Sequence, residues 1–399
     1  MLSDLAADRA RVAESNAQIL LLERSLSALR SQSRVQDPLD SYKYPVLTLP
    51  NEIVAEIFTH YIPIYPWGPR TPFTGPETES PTLLTQICRK WRGIALETAN
   101  LWRAISLPDL NLSETKQAAL SDAWLSRSRA CPISFWYSTP ADFPSYGAEI
   151  LSVLIKHRAR LEHLSLNGIS RTHLPAIEGP MPLLRRFELL LEDLDDFHDD
   201  SAIEVSFLEA PLLRKVLLSG AIGVDNIVLP WAQLTSLALL GRLPHDCAPI
   251  LRHTSNLVHC ELALVRDPLN EAVPHVTLPS LQSLMLTSVM EDDNSITGFL
   301  QTLTTPILRR LRVPEAFLGP NFIDTLKSFV SRSGCKLQDL CVTERRIESK
   351  SSYRIAFPST NVSFGHWATA SDEWLMFGVR DCPLPLELYE SSGVYPFHT

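Results

Sequence analysis

The residues best suited to chemistry in this 399-residue chain form one dense acidic run, EDLDDFHDD, at positions 192–200. Carboxylates and a histidine at such spacing could hold a divalent cation, because Ca²⁺, Mg²⁺ and Zn²⁺ all accept these ligands. Dense acidic runs between apolar segments are more often solvated loops. The triplet His245-Asp246-Cys247 has no second ligand pair at the spacing of a zinc site. We therefore predict no metal site and no cofactor.

Known catalytic signatures are missing from the sequence. It contains no GxSxG elbow, no Walker phosphate loop, no GxGxxG after a strand pattern and no HExxH. The isolated histidines are typical of packing or surface positions. We predict no catalytic residue and a protein that is not an enzyme. An enzyme would have to use the acidic run, and substitution of Asp195 and Asp196 would test that alternative.

Charge and cysteine usage narrow the class of protein. The 36 Lys and Arg against 45 Asp and Glu give a formal charge of −9, which argues against a nucleic-acid binder because such proteins carry a basic surface. The seven cysteines are scattered without CxxC pairs, as in reduced intracellular proteins. No signal-peptide pattern and no run of ~18 apolar residues is present. We expect a soluble cytoplasmic or nuclear protein without membrane or nucleic-acid partners.

The first 36 residues predict a helix with a partial heptad pattern. Large apolar residues recur at heptad spacing: Leu5, Val12, Ile19, Leu22, Leu26 and Leu29. The seam is continuous only from about Ile19 onward, and three to four heptads normally define a coiled coil. Self-association through residues 5–29 and packing of the helix on the protein's own body both remain open.

Two segments between Tyr44 and Leu107 predict a small helical unit. Pro50 and Glu52 suit the first turn of one helix, and Ser80 followed by Pro81 suits the start of another. Apolar residues follow each start at helical spacing, and a Leu-Trp pair closes the unit. These landmarks are Leu49, Ile53, Ile57, Phe58, Leu84, Ile87, Cys88, Trp91, Ile94, Ala95, Leu101 and Trp102.

The order of the landmarks resembles the F-box motif of the type found in fungal F-box proteins. The resemblance covers about 60 of the 399 residues. One departure from the motif is an insertion at 63–80, eighteen residues with five prolines, where F-boxes usually have a short connection. The two helices must still share a core around this insertion for the resemblance to hold.

From residue 161 the chain repeats one pattern, apolar-x-x-apolar-x-apolar, eight times. The copies are LEHLSL, LRRFEL, LRKVLL, LTSLAL, LVHCEL, LQSLML, LRRLRV and LQDLCV, with starts 21 to 29 residues apart. This resembles leucine-rich repeats, in which each copy adds one strand to a curved α/β solenoid. The asparagine or cysteine that usually follows the strand is missing from nearly all copies.

These patterns predict an α/β protein with an N-terminal helix, a small all-α F-box and a leucine-rich-repeat-like solenoid. The expected organisation is an N-terminal helix at 1–36, an F-box at 44–107, a connecting segment at 108–150, a repeat domain at 151–345 and a C-terminal cap at 346–399. An F-box followed by such repeats resembles the substrate-receptor subunits of SCF-type cullin–RING ubiquitin ligases. The resemblance implies binding of the Skp-type adaptor, and through it the cullin ligase core, together with an unidentified protein substrate.

The resemblance also assigns roles to particular residues. Phe58, Cys88 and Trp91 would form the core of the motif. The adaptor-facing residues would be Leu49, Pro50, Ile53, Ile57, Leu84, Ile87 and Trp102. The substrate would contact outward-pointing strand residues, namely Arg186, Lys215, Leu217, Leu240, His259, Met285, Arg310 and Arg312. The alternative is a leucine-rich-repeat scaffold that assembles through its N-terminal helix without joining a ligase.

Overall fold

The computed structural model describes most of the chain between its ends. The described residues are 11–29, 45–68, 79–107, 113–139, 147–191, 205–207, 209–219, 227–265, 271–288, 296–343 and 348–365. The acidic run at 192–200, Leu5 of the heptad pattern, the second half of the insertion and most of the expected C-terminal cap lie outside the described residues.

Residues 11–29 form the first helix, α1, and all its described side chains are exposed. Its large apolar side chains are 50–68% exposed: Val12, Ile19, Leu20, Leu21, Leu22, Leu26 and Leu29. The described part of α1 therefore does not pack on the protein's own body. Self-association through this helix stays a prediction. None of the helices in the described part of the chain combines the length and apolar character that a bilayer crossing requires.

A compact helical unit follows. Its elements are a 3-10 turn at Pro45–Thr48, α2 at Asn51–Tyr61, α3 at Pro81–Ile87, α4 at Arg89–Glu97 and a 3-10 turn at Ala99–Trp102. The Ser80 hydroxyl accepts a hydrogen bond from the Thr82 amide and caps α3, with Pro81 in the first helical position. The Cys88 thiol accepts from the Trp91 amide at the start of α4. The predicted start at Ser80 and Pro81 is thus confirmed, whereas Pro50 precedes α2 as its N-cap residue and the helical run predicted after Ser80 is interrupted at the extended residue Cys88.

Eleven parallel strands form the main sheet. They lie side by side in the same order in which they occur along the chain. Their bounds are β1 Ala104–Leu107, β2 Ile133–Ser138, β3 Leu161–Asn167, β4 Arg186–Leu190, β6 Lys215–Ser219, β8 Ser236–Arg242, β9 His259–Leu264, β11 Ser283–Ser288, β13 Arg310–Pro314, β14 Asp339–Thr343 and β15 Asn361–Gly365. The short strands β5 Val205–Ser206 and β7 Ile227–Val228 pair separately, as do β10 Val276–Thr277 and β12 Leu303–Thr304.

The connections between strands carry helices and 3-10 turns, as parallel pairing requires. The helices are α5 Glu114–Arg127, α6 Ala148–His157, α7 Pro244–Arg252, α8 Phe322–Ser333 and α9 Lys350–Ala356. The 3-10 turns are Arg158–Arg160, Arg171–Ile177, Trp231–Gln233, Phe299–Thr302 and Glu315–Leu318. The described chain is thus an α/β protein built around a large parallel sheet.

Each of the eight repeated copies contributes one strand of this sheet. The apolar residue at the fourth position of the pattern is at most 1% exposed in every copy: Leu164, Phe187, Val216, Leu237, Cys260, Leu284, Leu311 and Leu340. The prediction that the last two apolar positions point into the core is confirmed. Side chains alternate along a strand, so the intervening positions lie on the opposite face.

The sheet extends beyond the expected repeat domain at both ends. β1 and β2 come from the expected F-box and connecting segments, and β15 comes from the expected C-terminal cap. One hydrophobic core runs from Val54 and Phe58 of α2 to Val362 of β15. The helical unit and the sheet are therefore packed together rather than joined by a free linker.

Candidate functional site

The helical unit has its own apolar interior. Val54, Phe58, Leu84, Ile94 and Ala95 are buried. The rings of Phe58 and Trp91 meet edge to face with centroids 4.9 Å apart, a preferred geometry for an aromatic pair. Cys88 and Trp91 are half-buried. Helices α2 and α4 therefore share a core despite the insertion between them.

The side of α2 that faces away from this core is also apolar. Ile53 and Ile57 are 50% and 47% exposed, and Tyr61 one turn later is 37% exposed. Residues four apart lie on the same helix face, so these three side chains form one stripe. We call Ile53, Ile57 and Tyr61 the α2 stripe. This exposed stripe is a candidate interaction surface.

The remaining predicted adaptor-facing residues divide into exposed and buried positions. Pro50 is exposed, Leu49 is half-buried, and Ile87 at the end of α3 is 59% exposed. Lys90, which the sequence did not single out, donates from Nζ to the carbonyl oxygens of Leu47 and Leu49 at 2.7 and 2.9 Å. These bonds tie the Leu49-Pro50 segment to α4.

Two predicted adaptor-facing residues are corrected to core positions. Leu84 is 4% exposed and Trp102 is fully buried. The Trp102 indole donates to the Ala95 carbonyl at 2.7 Å, and its ring meets the Trp124 ring at 4.8 Å. Both therefore offer little or no surface to a partner. A helical stripe identifies an apolar face, but it does not say which neighbour that face meets.

The first residues of the insertion lie against the sheet. The Tyr65 hydroxyl donates to Glu162 at 2.8 Å, and its ring is 5.5 Å from that of His163 and 3.9 Å beneath the Arg103 guanidinium. Burial and the Glu162 carboxylate raise the pKa of Tyr65 well above its ordinary value. Burial lowers the pKa of His163 to about 4. Both groups are therefore neutral near pH 7.

Trp67 completes this contact. Its ring lies 5.1 Å from that of Trp136, and the Arg186 guanidinium lies over both rings at 5.5 and 5.3 Å. Gly68 follows, with so little space that an added Cβ would stand 2.7 Å from the Ile105 carbonyl carbon. We call residues 65–68 the strut. The insertion is thus partly a structural bridge, which its proline-rich sequence did not indicate.

The sheet face opposite the core, which we call the front face, carries three rows of side chains in register. The first row includes His163, Arg186, Lys215, His259, Arg310 and Asp339. The second includes Glu188, Leu217, Ala238, Glu261, Met285 and Arg312, and the third includes Leu190 and Leu240. All eight predicted substrate-contacting residues therefore lie on one face.

Exposure on the front face differs from the expectation. Lys215 and Arg310 are exposed, and Leu240 and His259 are half-buried. Four predicted contact residues are instead buried: Arg186 at 9%, Leu217 at 5%, Met285 at 4% and Arg312 at 1% exposure. Arg186 in the first row forms an ion pair with Glu188 in the second row, and both residues belong to β4. As the chain stands, these four side chains offer little surface to a partner.

Burial also sets the charge states on this face. Loss of hydration raises the pKa of Glu261 to about 7, against the opposing effect of Arg312. Loss of hydration lowers the pKa of His259, and the cations Lys215 and Arg310 lower it further. The first-row histidines His163 and His259 are therefore neutral near pH 7.

Within the described residues, no group of three or more His, Cys, Asp or Glu side chains is placed to hold a metal ion. The chain matches no protein-family model and no curated protein sequence. The α2 stripe, the front face and the exposed apolar residues of α1 are the candidate interaction surfaces among the described residues.

Proposed function

We propose that this chain is the substrate-recognition subunit of an SCF-type cullin–RING ubiquitin ligase. In this proposal the α2 stripe and its neighbours Pro50 and Ile87 bind the Skp-type adaptor. The front face of the sheet receives the protein substrate. The chain itself does no chemistry, because such a receptor acts by raising the effective concentration of the substrate near the transfer machinery.

The observation that carries the proposal is the exposed α2 stripe on an otherwise well-packed helical unit. Ile53 and Ile57 remain about half exposed while Val54 and Phe58, on the other side of the same helix, are 1% exposed. Removing both isoleucines from water in a complex would contribute on the order of 2–3 kcal/mol at roughly 25 cal/mol per Å². The resemblance of the ordered landmarks to an F-box supports a Skp-type adaptor as the partner.

Direct binding between the full chain and a purified Skp-type adaptor tests this proposal. The Ile53→Asp/Ile57→Asp variant should bind at least about thirtyfold more weakly, because about 2 kcal/mol of apolar burial is replaced by charge. Ile355→Asp is the matched control, since Ile355 on α9 is 80% exposed and lies outside the helical unit. Thermal unfolding should be alike in all three proteins. No binding by the wild-type chain would refute the proposal.

A second candidate is a scaffold that assembles through α1 and joins no ligase. The exposed apolar residues of α1 favour it, because helices with this pattern are normally buried against a partner helix. Mass measurement in solution with and without residues 1–36 tests it. A stable oligomer that requires these residues and binds no adaptor would favour the scaffold. A monomer of unchanged mass would exclude it.

A further inference from the structure

The first row of the front face contains five adjacent positions that carry only polar side chains. The pairing register places one of them on each of β6, β8, β9, β11 and β13: Lys215, Ser236, His259, Ser283 and Arg310. We call these five residues the track. Exposed cations stand at its two ends, with two hydroxyls and an imidazole between them. From end to end the track spans four strand spacings, or about 19 Å at ~4.8 Å each.

The polar groups in the middle of the track are without partners in the chain. Ser236 and Ser283 are 4% and 6% exposed, and neither hydroxyl makes a hydrogen bond to any part of the chain that the structure describes. The Nδ1 atom of His259 between them is buried and has no hydrogen-bond partner either. Because buried polar groups are normally paired, three such groups side by side indicate a place where a polar ligand is bound.

The ends of the track are positively charged. Lys215 is exposed, and its ammonium group forms no ion pair with a described residue. Arg310 has a partner in Asp339 at 3.8 Å, and both side chains are partly exposed. Arg214 and Arg309, which precede the two end residues along the chain, add two cations at the same edge of the sheet. Four cations and one carboxylate give this edge a formal charge of +3, in a chain whose formal charge is −9.

The centre of the track lies within the field of both ends. Besides burial, Lys215 and Arg310 each lower the pKa of His259, so both cations are close enough to act on one ring. A negative group placed over His259 would therefore be attracted from both sides. The nearest carboxylate of the second row is Glu261, and burial raises its pKa to about 7. Near neutral pH this carboxylate opposes an incoming anion with only part of a charge.

We propose that the track binds an extended acidic peptide of a partner protein. Its carboxylates would pair with the two end cations and accept hydrogen bonds from the two hydroxyls. About six extended residues cover the length of the track. Because alternate side chains of an extended peptide point to the same side, acidic residues at every second position would face the track.

The proposal rests on the proposed function in one respect, since it takes this peptide to be part of the protein substrate. It adds the chemical class of that substrate and does not involve adaptor binding. A peptide is favoured over a nucleic acid because the formal charge of −9 would repel a long polyanion wherever it extended beyond the track.

Fluorescence anisotropy of a labelled seven-residue peptide of alternating Glu and Ser, titrated with the full chain alone, tests the proposal. We expect saturable binding that weakens as salt is added, and no binding of the same peptide with Gln in place of Glu. Absence of binding by the acidic peptide at low salt would overturn the proposal. Tighter binding of a single-stranded RNA heptamer than of the peptide would overturn it in favour of a nucleic-acid surface. Since no adaptor is present, failure here is distinct from failure of adaptor binding.

Charge reversal at the two ends locates the binding site. Lys215→Glu/Arg310→Glu should weaken peptide binding by about tenfold or more, because two attractive contacts become repulsive. The control Lys327→Glu/Arg354→Glu changes the same residue types at exposed positions of α8 and α9. It alters the net charge by the same amount and should bind within about twofold of the wild type. An equal loss of affinity in both variants would overturn the site in favour of diffuse attraction.

A second variant separates the hydroxyls from the charges. Ser236→Ala/Ser283→Ala leaves the charge of the chain unchanged and should weaken peptide binding several-fold, because two hydrogen-bond donors are removed. Thermal unfolding checks that this variant and both charge variants are folded. Wild-type affinity in the folded serine variant would contradict the assignment of the track.

Discussion

Substitution of Gly68 by alanine should destabilise the protein, although alanine usually stabilises a chain relative to glycine. The added Cβ would stand 2.7 Å from the carbonyl carbon of Ile105, 2.8 Å from the Ser106 nitrogen and 2.9 Å from the Ile105 Cα. All three are backbone atoms of β1 or next to it, so a rotamer change cannot relieve the contact. The chain must move the strut away from the sheet.

The cost of that movement is set by the contacts that the strut makes. Release would separate the rings of Trp67 and Trp136, which lie 5.1 Å apart, and break the 2.8 Å hydrogen bond from Tyr65 to Glu162. An aromatic pair contributes about 1 kcal/mol beyond its area, and a hydrogen bond to a carboxylate contributes about 2 kcal/mol. We therefore expect Gly68→Ala to lower the free energy of unfolding by about 2–4 kcal/mol.

Gly93→Ala is the matched control with the opposite sign. Gly93 lies on the exposed side of α4, and an added Cβ there meets nothing within 4 Å. Alanine in a helix interior should stabilise by about 0.5–1 kcal/mol. Urea unfolding followed by tryptophan fluorescence measures both variants at constant m-value. A Gly68→Ala protein as stable as the wild type would refute the assignment of the strut.

Three further predictions follow from polar contacts elsewhere. Arg160→Met should lower the free energy of unfolding by about 2 kcal/mol, because the guanidinium donates at 3.0 Å to the Leu125 carbonyl in the last turn of α5. Urea unfolding measures this change. Tyr353→Phe should cost about 1–3 kcal/mol, because it removes a 2.8 Å hydrogen bond to the buried Glu315 carboxylate, and thermal unfolding measures it. Glu261 has a pKa raised from 4.5 to about 7, so the folded state binds the extra proton and stability falls as the pH rises through that window. The advantage of Glu261→Gln over the wild type should grow by at most about 3 kcal/mol between pH 5 and pH 8, as measured by unfolding at each pH, and a constant difference would contradict it.

The strands of the repeats were the most predictable part of the fold. Each copy has three apolar positions, and the structure buries them all because two alternate onto the core face and the first enters the turn before the strand. Regular spacing adds information that a single short apolar run does not carry. The pattern therefore predicts eight strands of the main sheet, namely β3, β4, β6, β8, β9, β11, β13 and β14.

The strands at the two ends of the sheet were harder to place. In β2 the sequence ISFWYS is rich in residues that favour strands, but it lacks the leucine pattern of the repeats and lies in the expected connecting segment. In β15 the sequence NVSFG shows two apolar residues between polar ones, which is too short a signal. Both strands are defined by pairing with a neighbour, and pairing partners are not visible in local sequence.

The candidate site residues were likewise only partly predictable from the local sequence. Spacing alone put Ile53, Ile57 and Phe58 on one helical stripe, and only the F-box resemblance assigned Phe58 to the core; in the structure Phe58 is 1% exposed and the two isoleucines are about half exposed. The resemblance also made Leu84 and Trp102 adaptor-facing, whereas the structure leaves them only 4% and 0% exposed. On the front face the register of eight strands was predictable, but the burial of Leu217, Met285 and Arg312 was not. The burial of a side chain depends on what covers the strand. The alternation of apolar and polar residues within the strand does not indicate what covers it.

The helical unit that carries the α2 stripe is connected to the rest of the protein by two separate sets of contacts. In the proposed receptor function, these contacts would fix the position of one bound partner relative to the other. Trp102 and Trp124 join the helical unit to α5 through the core, while Tyr65 and Trp67 join it to the front face through polar and aromatic contacts. A single connection would leave a rotational freedom that two separated connections remove. Effective concentration falls when the angle between bound partners is free. Under the proposed receptor function, loosening the strut by Gly68→Ala should leave adaptor binding through Ile53 and Ile57 intact while weakening substrate presentation, which would separate positioning from binding in one protein.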